Sequence, residues 1–256
     1  MRGYIAFLKK EFMEMVRTGK LITLGIIFVL FGIMNPAIAK FMPELMKMAS
    51  ESLEDAGMVV GEVTVSDLTS WMQFYKNVPM ALIIFVVMFS GIVTAEYQKG
   101  TIIPMLTKGI SPAAVFFAKY TAVFLAWTAG YALTFGITCF YNEYYWENAE
   151  TRHIVFNAVC CYVLGVLVLS VMMLAAALFE NNTSVMVITV VAALGVYLLG
   201  MIPDFKDYLP TKLMASNDLM TGKLEPSDYT VSMVIALAVS FVCVVISGFV
   251  IKKKAL

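Results

Sequence analysis

Side chains that could do chemistry are scarce in this sequence. The four cysteines, Cys139, Cys160, Cys161 and Cys243, all fall inside apolar runs, no CxxC or His–Cys spacing occurs, and His153 is the single histidine. Cysteines in such surroundings are typical of small buried apolar residues rather than of a disulfide framework or a zinc site. The sequence therefore predicts no metal site and no cofactor in this chain.

Motifs of established catalytic chemistry are also missing. The sequence contains no GxxxxGK[ST] phosphate-binding loop, no HExxH and no GxSxG, so it predicts a protein that is not an enzyme. Clear of their ends, the long apolar runs hold no Asp, Glu, Lys or Arg, whereas ion-coupled carriers and intramembrane proteases usually carry ionisable groups at depth. If this chain moves a substrate, the energy must come from another chain.

One compact polar segment interrupts the apolar sequence. Residues Glu96–Pro112, EYQKGTIIPMLTKGISP, include one Glu, two Lys, two Gly and two Pro between two long apolar runs. Gly100 and Gly109 flank Thr101–Lys108, which could form a short helix with an apolar face. Such a loop between two rigid helices would suit docking of a cytoplasmic partner that pushes on it. An ordinary polar turn with two lysines explains the same residues equally well.

The elements that must position this segment are membrane-spanning. The sequence is 61% apolar and only 14% charged, with a mean hydropathy of +0.84, which indicates a membrane protein. A span needs about 20 apolar residues of helix, and six runs approach or exceed that length: 21–39, 78–95, 113–139, 154–179, 185–202 and 229–251. The sequence thus predicts an all-α protein with one transmembrane domain over residues 1–256 and external segments at 40–77 and 203–228. Three prolines in the second external segment predict short helical turns there.

Charge decides the predicted orientation. Residues 1–20, 96–112, 180–184 and 252–256, with Lys119, carry a net charge of +7, and the remaining loops carry −7. Because basic residues concentrate in cytoplasmic loops, both termini and the 96–112 segment are predicted to face the cytoplasm. A cleaved signal peptide over residues 1–39 is the alternative. The twenty residues that precede the first apolar run are longer than the basic start of a typical signal peptide, which disfavours this alternative.

Two amphipathic helices are predicted beside the first span. In residues 1–20, a stripe of Ile5, Leu8, Phe12 and Met15 at helical spacing predicts an interfacial helix in the cytoplasmic headgroup layer. Residues 43–56 show a second amphipathic pattern outside the membrane. Pro36, in the first span, is expected to kink or end that span because proline removes a backbone donor.

The third span carries a stripe of small residues at intervals of four: Ala118, Ala122, Ala126, Gly130 and Thr134. Small residues allow helices to approach closely in lipid. Because a period of four drifts by about 40° per step against 3.6 residues per turn, one partner helix is expected to meet only part of the stripe.

The polar segment and the start of the third span together follow a pattern: Glu96-x3-Gly100-Thr101-x4-Leu106-Thr107-x2-Ile110-Ser111, then Ala118-Lys119. This pattern resembles the loop between the second and third helices of ABC-2-type transporter permeases, which often reads E-x3-GT-x4-LLT-x-PISR followed by a small residue and Lys. The layout of six spans behind a basic amphipathic helix is similar too. Gly109 and Pro112 depart from the family pattern, which has proline and arginine at those positions.

The resemblance implies an ABC-2 (type V exporter-like) architecture and the membrane-spanning permease subunit of an ATP-driven exporter. Its implied partners are two copies of an ABC ATP-binding subunit, which would hold ATP and Mg, a second permease as a homodimer or heterodimer, and the lipid bilayer, with no nucleic acid. The implied location is the plasma membrane of a bacterial cell. The residues implied to couple the permease to the ATPase are Glu96, Gly100, Thr101, Thr107, Lys108, Ser111 and Lys119.

Other functions stay open on the sequence alone. An ATP-independent channel or carrier is the main alternative, and it would transport in liposomes without a partner. An intramembrane enzyme would require Ser170 or His153, and a structural assembly factor would require neither. The transported substrate is not readable from the sequence.

Overall fold

The computed structural model of the protein describes residues 2–54, 66–98, 100, 111–146, 151–202, 204–205 and 207–254. Of the described residues, 87% are helical, and no strand occurs among them. This confirms the all-α class predicted from the hydropathy pattern.

Nine α-helices follow one another through the described ranges: α1 Arg2–Arg17, α2 Lys20–Glu54, α3 Asp67–Phe89, α4 Gly91–Gln98, α5 Pro112–Tyr145, α6 Ile154–Leu178, α7 Asn182–Leu199, α8 Ser216–Met220 and α9 Thr230–Lys254. Six stretches of this part of the chain are long and apolar enough to cross a membrane: Lys20–Met48, Asp67–Glu96, Pro112–Tyr145, Ile154–Leu178, Asn182–Leu199 and Pro226–Lys253. This confirms the predicted number of spans.

The second and third spans are longer than the apolar runs alone predict. Helix α3 begins at Asp67 rather than at residue 78, and its added turns bury Trp71, Phe74 and Tyr75. Asp67 is buried at its start and accepts hydrogen bonds from the Thr151 backbone and hydroxyl. A hydropathy count stops at such polar residues, whereas tertiary partners allow the helix to continue through them.

Helix α2 does not end at Pro36, which was one of the two outcomes expected there. It runs unbroken through Pro36 and Pro43 to Glu54, so residues 43–54 continue the first span instead of starting a separate helix; residues 55 and 56 lie outside the described ranges. Proline at position 36 deprives the Gly32 carbonyl of its usual donor. The Thr138 hydroxyl of α5 donates to that carbonyl over 3.3 Å, so a neighbouring helix replaces the lost bond.

The amide of Asn35 extends this polar contact across three helices. Asn35 Nδ2 donates to Thr138 Oγ1 over 3.2 Å, and Asn77 Nδ2 of α3 donates to Asn35 Oδ1 over 2.7 Å. Asn35 and Thr138 are fully buried. The polar side chains therefore hold α2, α3 and α5 together where the proline weakens the helix.

The Thr138 contact predicts a measurable coupling with Pro36. Thr138→Val should lower the free energy of unfolding by about 1 kcal/mol, because interhelical hydrogen bonds in membranes contribute about that much. In a Pro36→Ala background the restored backbone donor should reduce this loss. The coupling is measured by a double-mutant cycle of unfolding in detergent.

Thr189→Val is the matched control for this cycle. Thr189 is also buried, and its hydroxyl donates to the Val185 carbonyl of its own helix. Its substitution should show no coupling to position 36. If Thr138→Val lowered the free energy of unfolding equally with and without Pro36, Thr138 would not replace the donor that the proline lacks.

The small-residue stripe on α5 faces two different helices. All five of its residues are buried. Ala118 packs against Phe7 of α1, whereas Gly130 and Thr134 meet Phe28 of α2, where a Cβ at Gly130 would lie 2.8 Å from the Phe28 ring. Thr134 also donates to the Phe28 carbonyl over 2.9 Å. A stripe that winds around its helix contacts successive neighbours in this way.

Aromatic side chains fill the centre of the bundle around α6, the most buried span. Trp127 of α5 is fully buried and packs edge-on against Phe28 and Phe85. Opposite Trp127, a Cβ placed on Gly165 of α6 would lie 2.3 Å from the indole ring. Glycine is therefore required for the contact between α5 and α6.

The predicted helical turns between the last two spans are present. They comprise 3₁₀ turns at Pro210–Met214 and Pro226–Tyr229 and the short helix α8. Leu213, Leu219 and Tyr229 from these turns pack with Cys160 and Val163 of α6 in a second apolar cluster. The four cysteines are free.

Candidate functional site

Helix α1 docks on the bundle through a face that partly matches the predicted apolar stripe, of which Leu8, Phe12 and Met15 pack against the core. Its buried positions are Phe7, Glu11 and Met15, one turn apart. Ile5, which belonged to the predicted apolar stripe, is 63% exposed. The helix ends at Arg17, and Gly19 follows with a φ of +73°, which suits glycine and allows the chain to turn into α2.

Two further segments bring charged side chains to the same place. Helix α4 is separated from α3 by a turn at Ser90 and carries Glu96, which is 7% exposed. Helix α5 begins at Pro112, and the side chain of Ser111 caps it by accepting from the Ala114 backbone over 3.2 Å. Lys119 follows two turns later and is 2% exposed.

Five side chains from these segments form a network of ion pairs, here named the charge cluster: Lys10, Glu11, Glu14, Glu96 and Lys119. Lys119 Nζ lies 2.9 Å from Glu11 Oε1 and 3.2 Å from Glu96 Oε2. Lys10 Nζ lies 2.7 Å from Glu14 Oε2 and 3.1 Å from Glu11 Oε1, and it also pairs with Glu96 Oε1. The charge cluster therefore joins α1 to both helices that flank the 99–111 segment.

Burial makes these pairs mutually dependent. Glu11 and Lys119 are each 2% exposed, and a charge removed from water is costly unless an opposite charge lies beside it. The ring of Phe7 adds to the pairing, because Lys10 Nζ and Lys119 Nζ lie 5.0 and 5.5 Å from its centroid, within cation–π range. Removing Lys119 would leave Glu11 and Glu96 to share Lys10 as their one remaining cation within the charge cluster.

The two members of the cluster nearest to water stay ionised near neutral pH. Burial by itself lowers the pKa of Lys10, but hydrogen bonds to Glu14 and Glu96 and the charge of Glu11 outweigh it, so the net pKa is raised. The hydrogen bond from Lys10 lowers the pKa of Glu14 against the opposing effect of burial. Both shifts favour the charged pair.

Three carboxylates of the cluster lie close enough to suggest a metal site. One oxygen each of Glu11, Glu14 and Glu96 lies within 4.8 Å of the others, and carboxylate oxygens suit hard divalent cations. The ammonium groups of Lys10 and Lys119 occupy those oxygens instead. The arrangement therefore serves ion pairing rather than metal binding.

The predicted coupling residues that the structure describes lie in different settings. Glu96 and Lys119 are buried in the charge cluster, where they pair with each other. Ser111 is an exposed helix cap, and Gly100 has a φ of +66°, a conformation that favours glycine. Thr101, Thr107 and Lys108 lie outside the described residues.

Sequence reasoning missed three members of the cluster, Lys10, Glu11 and Glu14. The prediction was an interfacial helix in the headgroup layer with its charges off the apolar stripe, so none of these charges was expected to be buried. A usable signal was present: Phe7, Glu11 and Met15 are spaced by four, and Lys119 is a lone cation inside an otherwise apolar helix. A buried lysine requires an acid, and Glu11 was available.

The length of α5 locates the charge cluster relative to the apolar layer. Lys119 and Tyr141 are 22 residues apart, which corresponds to about 33 Å of helix and matches a hydrocarbon core of about 30 Å. The far end carries a row of aromatic residues, Phe140, Tyr141, Tyr144, Tyr145 and Trp146, typical of a membrane interface. The charge cluster thus lies at the opposite edge.

Six apolar helices bordered by an aromatic row and a charge cluster define a multi-pass helical membrane protein. The chain belongs to DUF2705, a family of proteins of unknown function, whose model matches residues 57–256. It is also 25% identical over 239 residues to the uncharacterized transmembrane protein YxlG of Bacillus subtilis (strain 168), covering 87% of each chain. No solved structure matches. Glu96 and Lys119 lie inside the family match, whereas α1 precedes it.

Proposed function

We propose that this protein is the permease subunit of an ABC-2-type ATP-driven transporter and works as an exporter. The observation that carries the proposal is the charge cluster, because it ties the N-terminal helix to the second and third spans on either side of the 99–111 segment. A permease that receives force through that segment needs such a connection.

The connection provides a mechanical route into the bundle. Helix α4 ends at Gln98 and α5 begins at Pro112, so displacement of the intervening segment pulls on both helices. Glu96 and Lys119 transfer the displacement to α1 through Lys10 and Glu11. Gln98 Nε2 donates to the Glu180 carbonyl over 2.9 Å, which extends the route to the turn between α6 and α7.

The coupling residues fall into two groups under this proposal. The segment that would contact the ATPase holds Gly100, Thr101, Thr107, Lys108 and Ser111. Glu96 and Lys119 act inside the protein as a relay. ATP and Mg would bind in the partner, of which two copies would serve two permeases, identical or different. The complex would operate in the plasma membrane of a bacterial cell.

Reconstitution with an ATPase encoded beside this protein tests the proposal. The parent protein should stimulate ATP hydrolysis, and Lys108→Glu should reduce co-purification and stimulation at least about tenfold, because reversing one charge in a protein contact commonly costs several kcal/mol. Lys223→Glu is the control, since Lys223 is exposed in a loop predicted on the other side of the membrane. Transport by the purified protein in liposomes without any ATPase would contradict the proposal and favour the channel or carrier.

A further inference from the structure

Helix α1 has a second apolar face that the bundle does not cover. Ile5, Met13 and Val16 are 63%, 46% and 53% exposed. At 100° per residue, these three and Lys9 fall within an arc of about 80°, opposite the face that packs on α5. This set, with Arg17 at its edge, is here named the outward face. One helix therefore carries a buried contact face and an exposed apolar face.

Charge is segregated between the two faces. The only acids of α1, Glu11 and Glu14, pair with lysines in the charge cluster. Lys9 and Arg17 are exposed on the outward side. The outward face therefore combines apolar side chains with a net positive charge, the composition of helices that lie on anionic membrane surfaces.

The contacts of α1 place the outward face at membrane level. Tyr4 Oη lies 2.7 Å from Thr121 Oγ1, Phe7 packs beside Ala118, and Glu11 pairs with Lys119. These residues of α5 lie in its first three turns, and the following 33 Å or so of helix cross the apolar layer. Helix α1 thus lies where hydrocarbon meets headgroups, within reach of both.

We propose that the outward face of α1 is a binding surface for acidic phospholipids. Ile5, Met13 and Val16 enter the upper acyl region. Lys9 lies among them, and its long side chain, like that of Arg17, extends to the phosphate groups. The two cations are eight residues apart, about 12 Å along the helix, so each meets a separate headgroup. The bound lipids hold α1 from outside while the charge cluster holds it from inside. This proposal requires only a membrane protein and is independent of the transport function.

Lipid titration of the full-length protein tests this surface. Met13→Cys is labelled with an environment-sensitive fluorophore in neutral detergent micelles, and phosphatidylglycerol or phosphatidylcholine is added. Phosphatidylglycerol should bind at least about tenfold more tightly, with the preference falling as salt rises from about 0.05 to 0.5 M. Lys9→Gln/Arg17→Gln should weaken phosphatidylglycerol binding about 25-fold, or about fivefold per charge. The same labelling of protein without Met13→Cys gives the background from the native cysteines.

Lys252→Gln/Lys253→Gln is the matched control, because it removes two exposed lysines elsewhere in the chain and should leave the binding unchanged. Equal affinity for the two lipids would overturn the proposal. If the control variant lost as much affinity for phosphatidylglycerol, the effect would depend on net charge alone, and the proposal would be overturned as well. A probe that responds to the partner ATPase but to neither lipid would show that the outward face docks a protein instead.

Discussion

Lys119→Met is expected to release α1 from the bundle. The substitution leaves Glu11 buried at 2% exposure without the lysine that lies 2.9 Å away. Breaking a buried ion pair costs about 3–5 kcal/mol when the remaining charge is left alone. Glu11 keeps Lys10 at 3.1 Å, so the loss is expected near or below the lower end of that range. The loss should appear as a lower free energy of unfolding in detergent and as faster proteolysis between α1 and α2.

A second substitution separates the pair from the packing around it. Lys119→Met/Glu11→Met removes both charges and replaces them with apolar groups, which is often nearly neutral. The double variant should therefore be more stable than the sum of the single effects predicts. Lys252→Met, at an exposed lysine, should change the free energy by less than about 0.5 kcal/mol. Additive single effects would show that the two side chains do not act as a pair.

The same variants bear on the transport proposal. If the charge cluster is a relay, Lys119→Met should abolish stimulation of the ATPase while the 99–111 segment still binds it, so co-purification persists. Lys108→Glu should reduce both the co-purification with the ATPase and its stimulation. If the Lys119→Met protein unfolds more easily but stimulates the ATPase normally, the charge cluster contributes to stability and does not take part in coupling.

Gly165→Ala is expected to disrupt the contact between α5 and α6. A Cβ at this position would lie 2.3 Å from Cζ2 of Trp127, and Trp127 is fully buried among Phe28 and Phe85. A rigid ring enclosed on several sides cannot move aside cheaply, so overpacking should cost about 3 kcal/mol or more. The expected result is a sharply reduced yield of folded protein and a lower Tm in detergent.

Two other glycines provide controls for helix propensity. A Cβ added at Gly136 in α5 or at Gly195 in α7 would meet no described atom within 4 Å, so alanine there should be neutral or stabilise slightly. Trp127→Phe should partly rescue Gly165→Ala because the smaller ring frees the space that the new methyl group needs. An unchanged Tm for Gly165→Ala would contradict the packing described.

The buried charges of the cluster make a prediction about the family. The family match covers residues 57–256, including Glu96 and Lys119, which are buried charges in a membrane protein. Their partners Lys10 and Glu11 come from the segment before the match. Because Glu96 and Lys119 also pair with each other over 3.2 Å, a family member that retains both is expected to keep this pair, and an N-terminal helix with an adjacent Lys and Glu would complete the charge cluster.

The sequence by itself determined the helical class and the six spans. Crossing a bilayer requires about 20 apolar residues in a row, which is a local property, so a count along the chain was sufficient. The helical turns between the last two spans were also predictable, because each of the prolines in that segment acts on its own neighbours. The small-residue stripe on α5 was visible, but its two partner helices were not.

Only the tertiary structure decided how α1 docks and why α2 continues through Pro36. Glu11 is buried because Lys119 lies 108 residues further along the chain, and Gly32 keeps a donor because Thr138 lies 106 residues away. An amphipathic pattern reports apolar side chains and treats every charge as a solvent-facing residue. Partners that distant can reverse this assignment. The cost of burying a charge is offset when an opposite charge lies beside it, and is not offset when the charge is alone.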